Sequence, residues 1–311
     1  MNTSVDVDVT IRNMLKGLER DVQDKIERKL CTADEAIVVE RLLHALSMGR
    51  VRFDAEPWNP LDPAQPVDDL HLASEMLMRA RLLDDELDDE TVTLSPEEPI
   101  KILNRLHLGQ KFDLIVALLV VDQVVKKGDG APFSFNISSR NACDATSLRV
   151  MDRMLRNHFG ALHQPAHTII ELLEDDPAND VNVKSLEWAH EQGYQFALDD
   201  ATFDDPRLIN LGPHVDIVKV DREVSEAMIR NLDHGHREER EKISNFFNSI
   251  AEHAPQAAIL LEGIPTAEMA LSLQKEYSAV ANISLVQGRY LEEPQRFHER
   301  VEGYDRMQMY A

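Results

Sequence analysis

The sequence is short of basic residues and of long apolar runs, and each shortage excludes a class of protein. It has 33 Lys and Arg against 56 Asp and Glu among 311 residues, a formal net charge of −23. Proteins that bind long nucleic acids or anionic membranes neutralise phosphates with basic side chains, so we expect this chain to bind neither. The longest purely apolar run, Leu114–Val121, has eight residues, whereas a membrane-spanning helix needs about 20.

Cysteine is also scarce. The only two, Cys31 and Cys143, lie far apart and match no metal or redox spacing. Since no secretory segment follows Met1, both are expected to be reduced thiols in a cytoplasmic protein. Hydrophobic residues nevertheless make up 43% of the chain, which predicts a buried core and one large domain with a small addition.

The first 37 residues differ from the rest of the chain. Apolar side chains recur there every three or four residues, at Ile11, Leu15, Leu18, Val22, Ile26 and Leu30. This spacing predicts an amphipathic helix whose apolar stripe packs against the main domain or, being nearly heptad-like, mediates self-association. We predict a helical segment over 1–37, a main domain over 38–300 and a tail over 301–311. The helix is the candidate surface for a homodimer or a protein partner.

Beyond this segment, short β-rich runs alternate with helical ones. We predict eight strands, at Val51–Ala55, Glu75–Ala80, Phe133–Ile137, Thr168–Leu172, Phe196–Asp199, Asp216–Val220, Ala258–Glu262 and Ile283–Gln287. Alternation of strand and helix favours parallel pairing through crossover helices, and eight such units predict a TIM-like (β/α)₈ barrel. A proline-rich loop without helical pattern joins the first two strands, so the barrel is expected to begin irregularly.

Polar side chains stand at the ends of several predicted strands, namely Asn136, Glu171, Asp199 with Asp200, Lys219 and Glu262, and Glu75 opens the second strand. Strand ends converge on one mouth of a barrel, where five carboxylates would repel one another unless cations were present. A single strand-end acid is better explained as a helix cap or a solvent-facing group, but the whole set favours a site for Mg²⁺ or Mn²⁺, which prefer oxygen ligands.

The adjacent pair Asp199-Asp200 is the most informative part of this set. Neighbouring residues of a strand point to opposite faces, so both carboxylates can reach one site only past the strand end. There they can serve two ions, or one ion and an attacking water. A pair of ions is the usual arrangement for in-line displacement at a phosphodiester.

At these residues the chain resembles the EAL domain family of bacterial cyclic di-GMP phosphodiesterases, over about residues 38–300. The matching motifs, in order, are Glu75-Met-Leu-Met-Arg79, Leu94-Ser-Pro-Glu-Glu-Pro-Ile100, Asn136-Ile-Ser138, Glu171-Leu-Leu-Glu174, Ala197-Leu-Asp-Asp200, Lys219-Val-Asp221, Leu261-Glu-Gly-Ile264 and Val286-Gln-Gly288. The resemblance implies a TIM-like barrel with an antiparallel first strand and metal-assisted hydrolysis of cyclic di-GMP to linear pGpG.

The resemblance also implies a role for each matching residue. The implied ligands of Mg²⁺ or Mn²⁺ are Glu75, Asn136, Glu171, Asp199 and Asp200. Glu262, also at the metals, and Lys219 would position or deprotonate the attacking water. The implied substrate-binding residues are Arg79, Gln287 and Asp221, and Glu174 would brace the loop after Asp200.

Two departures from the family pattern leave three functions open, and a fourth alternative is an unrelated Mg²⁺ barrel enzyme, such as one that abstracts protons with Lys219. The family's Phe-Gly-Thr-Gly loop after the paired aspartates is replaced by Ala201-Thr-Phe-Asp-Asp-Pro206, and Pro265 replaces a second glutamate. The retained Lys219 and Glu262 favour an active phosphodiesterase, because binding alone needs no water-activating pair. The altered loop favours a cyclic di-GMP receptor, or a protein-interaction module that no longer binds the nucleotide.

Overall fold

A computed structural model describes residues 6–60, 73–83, 91–94, 96–128, 130–144, 146–173, 183–234, 237–277, 283–288 and 295–296. The helices are α1 (Val7–Glu27), α2 (Ala33–Ser47), α3 (Glu97–Arg105), α4 (Gly109–Lys127), α5 (Ser139–Ala142), α6 (Ser147–Phe159), α7 (Lys184–Gln192), α8 (Arg207–Leu211), α9 (Arg222–His234), α10 (Arg237–His253) and α11 (Ala267–Tyr277). The strands are β1 (Val51–Pro57), β2 (Asn59–Pro60), β3 (Ser74–Leu83), β4 (Thr91–Leu94), β5 (Phe133–Ser138), β6 (Thr168–Leu173), β7 (Gln195–Ala201), β8 (Ile217–Val220), β9 (Ala258–Leu261), β10 (Ile283–Val286) and β11 (Gln295–Arg296).

The strands form one sheet that nearly closes into a barrel. Strands β3 and β5 to β10 follow one another in parallel. Strand β1 pairs antiparallel with β3, while β2, one residue after β1, pairs antiparallel with β10. The opening segment of the barrel therefore joins both edges of the parallel sheet. The predicted TIM-like barrel and its antiparallel first strand are confirmed.

Each barrel strand separates two apolar layers, because successive side chains point to opposite faces. In β6, Ile170 and Leu172 belong to the large core between the strands and the helices. Ile169 belongs instead to a small core, which is formed by Trp58, Ala73, Ile169, Ala197, Ile217, Leu260 and Leu285. The small core fills the barrel with apolar side chains, so the interior is closed below the strand ends.

The amphipathic helix predicted at the N-terminus is α1, and it covers its apolar stripe within the chain. Ile11, Leu15, Leu18 and Val22 are buried against the same core as the outer faces of the strands. The helix packs on α2 and α4. Most of the stripe is therefore used in intramolecular packing, but Leu30 lies past the end of α1 and is 52% exposed. The division of the chain at residue 37 stays a prediction.

Residues 97–127 form two helices, α3 and α4, rather than one. The chain turns between α3 and α4 at His107, which has a left-handed φ of 58°, while its neighbours Leu106 and Leu108 are buried. Both leucines reach the core only because the chain turns between them. Neither α4, which contains the longest apolar run, nor any other helix of the described residues is long and apolar enough to cross a membrane.

We expect Leu18→Ala to destabilise the whole protein. Leu18 is fully buried, and removing such a side chain costs about 2–5 kcal/mol. Leu30→Ala is the control, since Leu30 is 52% exposed and a surface change costs roughly 0.5 kcal/mol or less. Urea unfolding followed by circular dichroism measures both. Equal stability of the two variants would show that α1 is not part of the cooperative core.

Candidate active site

The polar residues of the barrel mouth lie one layer above the small apolar core. Each stands two positions after a residue that lines the barrel interior, so alternation along the strand turns it to the same face. The pairs are Ala73 with Glu75, Ser134 with Asn136, Ile169 with Glu171, Ala197 with Asp199, Ile217 with Lys219, Leu260 with Glu262 and Leu285 with Gln287. The barrel thus brings together side chains from seven segments of the sequence.

Lys219 is the centre of this layer. Its Nζ lies 2.5 Å from Glu171 Oε2, 2.6 Å from Asp199 Oδ1, 2.9 Å from Glu262 Oε1 and 3.1 Å from Glu75 Oε2. The lysine side chain is 1% exposed. One ammonium group therefore faces four carboxylates, and the layer carries an excess of negative charge.

This crowding changes the proton affinities of the site. Burial alone would lower the pKa of Lys219, but Asp199, Glu171 and the other acids raise it well above its usual value. Burial, and then the charge of Glu75, raises the pKa of Glu171 well above the ordinary range. Burial, opposed by Lys219 and assisted by Asp199, raises the pKa of Glu262 to about 8. The lysine stays charged, while part of the carboxyl set is protonated at neutral pH.

Three buried acceptor oxygens in the layer receive no hydrogen bond from any residue that the structure describes. They are Asn136 Oδ1, Glu171 Oε1 and Gln287 Oε1. The amide nitrogens of Asn136 and Gln287 both donate to Glu75, at 3.2 and 2.7 Å, which fixes the orientation of each amide. Unsatisfied oxygens beside excess carboxylates are the environment that Mg²⁺ or Mn²⁺ would satisfy. The donor set therefore fits a divalent cation.

The paired aspartates share the site through an irregularity in β7. The pairing of β7 with β8 shifts register between Leu198 and Ala201, and Asp200 has a left-handed φ of 48°. The sequence predicted that both carboxylates could meet only past the strand end; instead a bulge inside the strand rotates Asp200 toward its neighbour. One oxygen each from Asp199, Asp200 and Glu262 lie within 4.8 Å of one another, a spacing that suits a shared metal ion.

The predicted substrate residues lie at or beyond the rim. Arg79 is four residues after Glu75, about 13 Å further along β3, and its Nε lies 3.5 Å from Asp54 Oδ2. Asp221 accepts a hydrogen bond of 2.6 Å from the backbone N–H of Glu223, so it caps the start of α9. Glu174, the predicted brace of the loop, lies outside the described residues.

The end of β10 approaches the loop after β9 closely. The backbone N–H of Ile264 donates to Gln287 O at 3.3 Å. A Cβ at Gly288 would lie 2.3 Å from Ile264 O, so this crossing needs a glycine. In the Gln-Gly motif, Gln287 thus supplies a side-chain amide to the site, and Gly288 allows the close backbone contact that positions Gln287.

Sequence analysis did not single out Glu56, which shares a face of the sheet with the site residue Glu75. Glu56 stands directly opposite Glu75 in the antiparallel pair of β1 and β3, and opposed residues of two strands share a face. The signal was present in β1, where Arg52, Asp54 and Glu56 alternate with residues of the core.

The sequence also gave no indication of a buried ion pair behind the site. Arg207 and Asp205 are 5% and 4% exposed, with Nη2 2.7 Å from Oδ2. Arg207 also contacts backbone carbonyls of Asp199 and Asp200. Every residue has a backbone carbonyl, so a sequence does not show which carbonyls a side chain bonds, and only the tertiary structure reveals this contact.

Comparison with known proteins places these features in a family. The EAL domain model matches residues 64–294. Among solved structures, the PaMucR phosphodiesterase in complex with c-di-GMP is 18% identical, with a TM-score of 0.64 over 85% of this chain and 99% of that one. An EAL domain protein from Listeria monocytogenes EGD-e is 17% identical, with a TM-score of 0.63 over 86% and 95%.

A third solved structure has the same fold. The FimX EAL domain from Pseudomonas aeruginosa bound to c-di-GMP is 18% identical, with a TM-score of 0.59 over 88% of this chain and 99% of that one. A search of curated proteins found no match.

We expect Mn²⁺ to bind this site more tightly as the pH rises from 6 to 8. Metal ligands must be deprotonated, and the pKa of Glu262 is raised to about 8, so each proton released adds up to about tenfold in affinity per pH unit. The contribution of Glu262 to this slope should flatten above pH 8. Electron paramagnetic resonance of free Mn²⁺ measures the affinity.

Glu262→Gln is the matched variant for this titration, since it removes the titrating proton and keeps the side-chain shape. Its pH slope should be smaller than that of the native protein. Equal slopes would show that Glu262 does not release a proton on metal binding.

Proposed function

This chain belongs to the EAL domain family, and on that premise we propose that it is a metal-dependent phosphodiesterase that hydrolyses cyclic di-GMP to linear pGpG. The observation that carries the proposal is the convergence of four carboxylates on one buried lysine at the barrel mouth. A module that only binds proteins has no need of such an arrangement, because burying these charges is costly.

The acidic and amide oxygens of the mouth would hold Mg²⁺ or Mn²⁺. The residues are Glu75, Asn136, Glu171, Asp199 and Asp200, with Glu262 beside them. When bound, divalent ions lower the pKa of a nucleophilic water and neutralise charge on the phosphodiester. Lys219 already supplies one positive charge that keeps the carboxylates together.

Glu262 is the residue best placed to take a proton from the attacking water. Its side chain is 20% exposed, whereas that of Glu171 is completely buried. A general base must reach the water that it deprotonates, and of these two carboxylates only that of Glu262 is open to solvent. Lys219, 2.9 Å away, orients the Glu262 carboxylate and stabilises its charge.

Residues at the rim would hold the dinucleotide. Arg79 is partly exposed, and the planar guanidinium group matches the geometry of a phosphate. Gln287 keeps an acceptor oxygen free of a donor at the mouth. Asp221 borders the same mouth at the end of β8. The sign of the electrostatic potential that the substrate meets at the mouth thus depends on bound cations.

A cyclic di-GMP receptor without hydrolysis is the second candidate. It is favoured by Pro265, half-buried three residues after Glu262. A proline side chain cannot accept a hydrogen bond or bind a cation, so this position contributes no ligand to the mouth. In this reading the nucleotide would bind at the mouth and its occupancy would change a protein contact.

We expect purified protein with Mg²⁺ or Mn²⁺ to convert cyclic di-GMP to pGpG, and Glu262→Gln to reduce the rate about 100-fold or more, the contribution typical of a general base. Chromatography of the nucleotides measures turnover. Glu268→Gln is the control, because Glu268 lies in the same region of the chain but is exposed at the start of α11.

Calorimetry of nucleotide binding separates the remaining functions. Tight binding of cyclic di-GMP without turnover would contradict the phosphodiesterase proposal and support the receptor. The absence of both binding and turnover, with either metal, would favour the protein-interaction module instead.

A further inference from the structure

The bulge that turns Asp200 toward the site disturbs backbone pairing at the mouth. The pairs between β6 and β7 run to Leu172 opposite Leu198, and those between β7 and β8 shift register before Ala201. The carbonyls of Asp199 and Asp200 lie in this interval. Buried carbonyls must find donors elsewhere, and a left-handed φ at a non-glycine residue adds strain of about 1 kcal/mol or more.

The guanidinium group of Arg207 supplies those donors. Its Nη2 donates to Asp199 O at 2.7 Å and to Asp200 O at 3.3 Å, and its Nη1 donates to Leu172 O at 3.1 Å. One side chain therefore bonds the end of β6 and both residues of the bulge. These three carbonyls fix the backbone from which the two aspartate side chains leave.

Asp205 fixes the guanidinium group in turn. Its carboxylate accepts from Arg207 Nε at 3.1 Å and from Nη2 at 2.7 Å, and also from the backbone N–H of Arg207 at 2.8 Å. The same carboxylate thus orients the side chain of Arg207 and bonds the first backbone N–H of α8. Because both charges are buried and paired, neither is available to bind a phosphate or a metal directly.

We propose that Arg207 and Asp205 are a positioning pair that holds Asp199 and Asp200 in the geometry needed for metal binding. The proposal rests on the metal-dependent function proposed above and deepens it. The loop between Asp200 and Arg207 lacks glycine and has Asp204 in a left-handed φ of 61°. This pair bonds it in addition to a backbone hydrogen bond of 3.3 Å from Asp205 N–H to Thr202 O. Arg207 acts through the aspartates and does not touch the metal or the substrate.

The test is Mn²⁺ binding to the purified full chain, measured by electron paramagnetic resonance of free Mn²⁺. We expect Arg207→Gln to weaken Mn²⁺ binding about 10- to 100-fold, the effect typical of residues that orient metal ligands. Asp205→Asn and Arg207→Lys should give smaller losses in the same direction. Arg237→Gln is the matched control, since Arg237 is 92% exposed on α10 and pairs with Glu241; its Mn²⁺ affinity should equal that of the native protein.

A double-mutant cycle with Asp200→Asn distinguishes positioning from a general loss of stability. If Arg207 acts through the aspartate pair, Arg207→Gln should cost little additional affinity once Asp200 is replaced, because coupled residues are not additive. Fully additive losses, or losses that follow only the fall in melting temperature across the variants, would overturn the proposal. If Arg207→Gln does not fold, the cycle is run with Asp205→Asn.

The failure of the proposed function has a different signature. If native protein binds neither Mn²⁺ nor cyclic di-GMP, the proposed metal site is wrong, and so is the positioning role that depends on it. Native protein that binds Mn²⁺ normally while the Arg207 and Asp205 variants bind it equally well would overturn the positioning role alone.

Discussion

The buried ammonium of Lys219 is the interaction on which the barrel mouth depends. Four carboxylates approach it within 3.1 Å, and without that charge they would repel one another in a medium that screens poorly. A single charge does not neutralise the set, so protons remain on part of it. The lysine holds the mouth together and leaves it with an excess of negative charge that would attract divalent cations.

The barrel makes this arrangement possible through strand alternation. Small and branched side chains such as Ala197 and Ile217 fill the interior, and two residues later Asp199 and Lys219 stand above them. The apolar layer keeps water from entering below, which strengthens each charge interaction above it. Part of the net charge of −23 is therefore concentrated at the mouth. Bound cations would reverse the sign of the electrostatic potential that a phosphodiester meets there.

The loop after the paired aspartates is where this chain departs from the family pattern. Glycines of that pattern are absent, yet Asp200 still takes a left-handed φ and its carbonyl is bonded by Arg207. A buried arginine with its own carboxylate partner supplies the constraint that a loop sequence alone does not. The carboxylates of Asp199 and Asp200 therefore come together although the family loop is absent.

Local patterns in the sequence predicted eight barrel strands and the polar set at the strand ends, because alternation and strand-helix order are local, but they did not predict the short strands β2, β4 and β11. The antiparallel start of the barrel was implied by the resemblance to the EAL domain family. The amphipathic helix was also readable, although what its stripe covers, α2 and α4, was not. Glu56 could have been found from the alternation in β1. Tertiary structure alone decided which carboxylates contact Lys219, how the bulge turns Asp200, and that Arg207 holds backbone carbonyls. Those features depend on register between strands and on contacts with the backbone, which a sequence does not record.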